Sequence, residues 1–126
     1  MEINTVVKAV NDLAVEKGWY DSTRTPLEFH MLMVSEIAEA TEEVRKNNPP
    51  IYFLDDQKNI NSTSANFEAW EFPKDKKPEG EAIELADAVI RIMDYFAHRG
   101  WNLENAIRIK HNFNTTRPYR HGNKTV

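Results

Sequence analysis

The chain has 126 residues, of which 40% are hydrophobic and 29% charged; that is the balance of one folded globular domain, 1–126, and not of a disordered or fibrous chain. It contains no cysteine, which excludes disulfide staples and thiolate metal sites. The net charge of −4 is uneven: from Arg108 onward there are five basic residues and no acids, so the first 107 residues carry 11 basic against 20 acidic residues. An acidic body argues against a nucleic-acid polymer as partner, whereas a basic end suits a compact, highly charged ligand.

The first predicted helix runs from about Glu2 to Lys17, with Ile3, Val6, Val7, Val10, Leu13 and Ala14 at helical spacing and Gly18 as a stop. Its opening, "MEINTVVKAV", lacks the basic and apolar regions of a signal peptide. No apolar run approaches the roughly 18 residues that span a bilayer. The expectation is a cytoplasmic protein without a membrane partner.

In the second helix, Thr25 is the expected N-cap, Pro26 the first helical residue and Glu28 an acid in the first turn. This helix should reach about Lys46, where Asn47-Asn48-Pro49-Pro50 ends it. Residues 49–80 hold four of the six prolines together with two apolar clusters, "IYFL" and "NFEAWEF". A polar linker has no use for those aromatic residues, so an ordered arm or lid, irregular or with a short strand pair, is expected. The third helix starts near Glu79 or Glu81 and runs to about His98, before Arg99-Gly100. Asn102 caps a fourth that carries Leu103, Ala106, Ile107 and Ile109 or Lys110, and "NTTRPYRHGNKTV" reads as a loop or tail. The class is therefore all-α: four helices, with an insertion at about 49–80 between the second and the third.

Those two helices share a pattern. On the second, Phe29, Leu32, Glu36, Glu39 and Glu43 form one stripe; on the third, Glu84, Asp87, Arg91 and Asp94 do so. Aliphatic residues flank both stripes, so these acids are expected to lie within apolar surroundings and not on an outer polar face. Ionised carboxylates in such a place cost several kcal/mol each unless they are paired or coordinate a cation. Facing stripes would gather Glu36, Glu39, Glu84 and Asp87 around one point, more negative charge than Arg91 offsets. Oxygen-only ligands select a hard ion, Mg²⁺ or Mn²⁺. A ferritin-like di-iron centre needs Glu-x-x-His on two helices, and no Glu here has His three residues later. By contrast, Glu42 and Glu43 with Arg45 and Lys46 read as a solvated charged face.

Glu36-x-x-Glu39 followed by Glu84-x-x-Asp87 in "ELADAVIRIMDY" resembles the MazG-like all-α nucleoside triphosphate pyrophosphohydrolases. The ending "KHNFNTTRPYRHGNK" resembles the Lys-x-x-x-Asn-x-x-Arg-Pro-x-x-His-Gly close of short members. The match spans roughly residues 27–46 and 78–124. Ser35 stands where the family has the first Glu of its leading pair, and the spacer between the acidic pairs is longer than usual. The resemblance implies a four-helix MazG-like bundle, a homodimer or homotetramer, and Mg²⁺-dependent cleavage of a (d)NTP to the monophosphate and pyrophosphate, with Mn²⁺ as a substitute ion. It assigns metal binding and catalysis to Glu36, Glu39, Glu84 and Asp87. No Gly-rich phosphate loop is present, so Lys110, Arg117 and His121 become the candidates for phosphate contacts, Asn114 for the sugar or base, and Asp94 and Tyr95 for the pocket wall. Trp19, His30, Trp70 and Trp101 are candidates for stacking on a base. The rival activity is that of an all-α dUTPase-like enzyme; the rival class is a non-catalytic helical binding module whose acids form an ion-pair network.

Overall fold

The computed structural model describes residues 2–62 and 67–119. Four helices account for most of them: α1 (Ile3–Glu16), α2 (Pro26–Arg45), α3 (Glu81–Arg99) and α4 (Leu103–Thr115). Between α2 and α3 lie two short strands, β1 (Phe53–Leu54) and β2 (Ile60–Asn61), and a 3₁₀ turn at Ala69–Glu71. The protein is thus mostly helical with a two-stranded insertion. No helix among the described residues is long and apolar enough to cross a membrane. The chain divides into two compact units, one made of residues 1–21 with 93–126 and the other of residues 22–92.

In the 22–92 unit the ends of α2 are fixed by local chemistry. The Thr25 hydroxyl accepts a hydrogen bond from the Glu28 amide, and the Glu28 carboxylate accepts one from the Thr25 amide, closing a reciprocal cap with Pro26 at the first position. At the other end Asn47 takes a left-handed conformation (φ 55°). The amides of Asn47 and Asn48 return to the carbonyls of Val44 and Glu43, a Schellman closure.

The insertion is folded back on itself. Tyr52 and Glu79 exchange two backbone hydrogen bonds of 2.9 Å, so the segment leaves and rejoins the unit at one place. Gly80 makes this possible: its φ is +117°, and a Cβ there would sit 2.2 Å from the Pro50 carbonyl oxygen. At the far end β1 pairs antiparallel with β2, and Asp55 turns the chain by accepting hydrogen bonds from the amides of Gln57 and Asn59. Phe53, Phe67 and Phe72 pack ring on ring at centroid distances of 5.2 to 6.4 Å. The two apolar clusters of the sequence thus meet each other.

In the other unit α1 buries Val7, and the first turn of α4 buries Leu103. Asn102 caps α4 through the Asn105 amide, and its side-chain oxygen also accepts from the Asn4 amide group at 3.0 Å, which ties α1 to the start of α4. Helix α4 extends to Thr115, beyond the expected stretch around Lys110, and ends where the Thr116 amide returns to the Phe113 carbonyl.

Candidate functional site

Glu36 and Glu39 project from α2 and Glu84 from the first turn of α3, and one carboxylate oxygen of each lies within 4.8 Å of the other two. Their environments differ. Glu36 is buried at 7% exposure, Glu84 is half-buried and Glu39 is exposed. The expectation of apolar surroundings on every side is corrected here. Leu27, Met31, Val34 and Ile37 on α2, and Leu85, Val89 and Ile90 on α3, are all exposed large apolar side chains. Periodicity marks such residues as apolar without supplying anything to cover them. An open groove of about 420 Å³ lined by Arg24, Leu27, Glu28, Met31 and Leu32 runs along the start of α2.

The acids divide one burden of charge unequally. Burial, then hydrogen bonds to Glu39 and Glu36, push the Glu84 carboxyl up to about 7. Burial would raise Glu36 as well, yet hydrogen bonds from Arg91 and within the cluster outweigh it and hold Glu36 below its ordinary value. The Arg91 Nε lies 2.8 Å from Glu36 Oε1, and the two side chains are 27% and 9% exposed. Asp87, one turn after Glu84 on α3, falls outside the group of oxygens within 4.8 Å, but it belongs to the same electrostatic set. Burial raises its carboxyl, the charges of Glu36 and Glu39 add to that, and Arg91 and Lys77 oppose it. Crowding thus favours the protonated form of Glu84, whereas Arg91 favours the ionised form of Glu36.

Does this donor set fit a divalent cation? Two oxygens bound to one Mg²⁺ lie at most about 4.2 Å apart, since each bond is about 2.1 Å long. Of three such oxygens at least two pairs are adjacent ligands, about 3.0 Å apart, so oxygens within 4.8 Å of one another reach that geometry by side-chain movements of about 1 Å. Oxygen donors alone suit Mg²⁺ or Mn²⁺. The residues fit.

The other expected site residues have partners of their own. Asp94 accepts hydrogen bonds from the Asn11 amide group at 2.9 Å and the Tyr20 hydroxyl at 2.5 Å. Tyr95 is buried, its hydroxyl accepts from Arg99 at 2.9 Å, and its ring meets Trp101 edge-on. On α4, Lys110 and Asn114 are exposed, and the cations of Lys110 and Arg117 lie 5.3 and 5.5 Å from the Phe113 ring centre. His121 lies outside the described residues. Among the aromatic candidates, Trp70 is 83% exposed on its 3₁₀ turn, His30 is exposed on α2, Trp19 is 43% exposed, and Trp101 lies under the Arg99 guanidinium at 4.6 Å.

Glu43 departs from the solvated face expected for it. It accepts hydrogen bonds from the Tyr52 hydroxyl at 2.8 Å and from the Asn48 side chain at 2.8 Å. Burial and this carboxylate push the Tyr52 hydroxyl up to about 12. Glu42 does behave as expected, pairing with Arg45 at 3.4 Å in solvent. No spacing rule flags Tyr52 as the partner of Glu43, because the pairing depends on how residues 49–52 double back after α2.

No family model matches the chain, and neither a curated protein nor a solved structure matches it.

Proposed function

We propose that this protein is a divalent-cation-dependent nucleoside triphosphate pyrophosphohydrolase of the MazG-like all-α type, converting a (d)NTP to the (d)NMP and pyrophosphate. The observation that carries this reading is the convergence of Glu36, Glu39 and Glu84 from two helices, with their oxygens within 4.8 Å. The sequence pattern Glu36-x-x-Glu39 with Glu84-x-x-Asp87 and the ending from Lys110 to Gly122 supports it further.

In this reading Glu36, Glu39, Glu84 and Asp87 hold Mg²⁺, with Mn²⁺ as a substitute. The ion supplies charge neutralisation of the triphosphate and a lowered pKa for a bound water. The chain's own groups do the rest. Glu84 gives up its proton when the ion binds, as a ligating carboxylate must. Lys110, Arg117 and His121 contact phosphate oxygens, Asn114 contacts the sugar or base, and attack falls on the α-phosphorus with pyrophosphate leaving. Asp94 and Tyr95 shape the pocket wall through the bonds that fix them. The assembly is a four-helix bundle paired as a homodimer or homotetramer; the exposed Leu27, Met31, Val34 and Ile37 support a second copy as their cover.

The test is pyrophosphate release from a panel of ribo- and deoxyribonucleoside triphosphates, with and without Mg²⁺. Turnover of one or more that requires the ion is expected. Turnover of uracil nucleotides alone would assign the dUTPase-like activity instead, and no turnover of any would leave the acids as a structural network.

A further inference from the structure

The 2.8 Å bond between Arg91 Nε and Glu36 Oε1 joins the most buried acid of the cluster to a cation on the facing helix. From it we infer that Arg91 is a positioning residue: it occupies one oxygen of Glu36, so that Glu36 offers the shared ion a single oxygen in a fixed orientation. The inference rests on the reading of the cluster as a cation centre and concerns a residue that touches neither the ion nor the substrate in that reading.

Three observations support it. Arg91 follows Asp87 by four residues and Glu84 by seven, so all three side chains leave α3 on one face. At 27% and 9% exposure, Arg91 and Glu36 are shielded enough for their bond to hold an orientation, unlike a solvent-exposed pair that frays. The guanidinium is planar and its Nε–H direction is set by the side-chain path, so the bond restricts rotation of the Glu36 carboxylate. A lysine ammonium, with three rotatable donors, supplies the same charge without that constraint.

Charge and geometry act in opposite senses. The guanidinium charge repels an arriving cation, whereas the fixed carboxylate lowers the ordering cost of binding it. Outer partners of ligating groups change metal affinity by about 10- to 100-fold, and the structure places Arg91 as such a partner. Geometry is therefore expected to win.

The measurement is Mn²⁺ titration of the full chain at one pH, followed by electron paramagnetic resonance, on the wild type, Arg91→Gln and Arg91→Lys, with circular dichroism to check folding. Wild type should bind Mn²⁺. Both variants should bind at least about tenfold more weakly, with an altered resonance line shape for the bound ion. Arg91→Gln binding as tightly as wild type, or more tightly, would show that charge decides and would overturn the inference. If Arg91→Gln does not fold, Arg91→Lys decides: wild-type affinity and line shape there would overturn it equally. A lower melting temperature with unchanged affinity would also count against it, as the mark of a purely structural role. Wild type that binds no Mn²⁺ overturns the cation centre and this inference together; tight wild-type binding with unchanged variants overturns this inference alone.

Discussion

Two carboxylates of helix α3, Glu84 and Asp94, meet their need for partners in opposite ways. Asp94 is surrounded by neutral donors, the Asn11 amide group and the Tyr20 hydroxyl, which satisfy a charged acceptor without another charge. Glu84 meets two further carboxylates, and its own carboxyl rises to about 7 in consequence. A lone acid with neutral donors is a finished piece of structure. A crowd of acids is not, because Arg91 offsets only part of their mutual repulsion and the rest favours a bound proton or cation. That difference separates an acid whose charge is met inside the fold from acids whose charge is met only in part.

The sharpest break in the comparison comes from neutralising the crowd. Glu39→Gln and Asp87→Asn should each lower Mg²⁺-dependent pyrophosphate release by about 10³-fold, with helical circular dichroism unchanged. Full activity in both would remove the cluster from the mechanism.

The pH dependence of stability distinguishes the two acids next. The Glu84 carboxyl is raised from an ordinary value of 4.5 to about 7, so between those values the folded chain holds more protons than the unfolded chain. Stability then falls as pH rises through that window. Asp87, also raised, acts in the same direction, while Glu36, lowered, acts with the opposite sign below 4.5. The ion-free protein should lose about 5 °C of melting temperature between pH 5 and pH 8, and Glu84→Gln should remove most of that slope. A flat profile in the wild type would mean that the carboxylates do not share their charge as described.

The smallest effects on the acidic cluster belong to the satisfied acids. Asp94→Ala should cost about 1–3 kcal/mol by stranding the Tyr20 hydroxyl and the Asn11 amide group, with Mn²⁺ affinity unchanged within about twofold. Glu42→Gln, which touches only the exposed Arg45 pair, sets the floor at under about 0.5 kcal/mol. Denaturant titrations of the two variants side by side measure both.

Much of the helical frame is legible in the residues because its signals are local. Thr25, Pro26 and Glu28 announce the start of α2, Asn102 that of α4, and Gly18 and Gly100 stand at left-handed stops. The acidic pairs are legible for the same reason, since three-residue spacing on a helix fixes a shared face. What depends on distant parts of the chain is not. Strands of two residues leave no alternation to place them, so a short strand pair is expected in the insertion while the positions of β1 and β2 are not legible among prolines and asparagines. Helix α4 outruns its apolar pattern into Asn114 and Thr115, poor helix formers that the sequence alone assigns to a tail. The apolar flanks of α2 look like core by type, and the single chain leaves them in solvent.

The pair of hydrogen bonds between Tyr52 and Glu79 acts as a clasp at the neck of a pendant hairpin. Extending a loop that is already shut costs little, about 0.6 kcal/mol for each doubling of its length. The count of residues between the two acid-bearing segments is therefore free to drift while the carboxylates keep their meeting point.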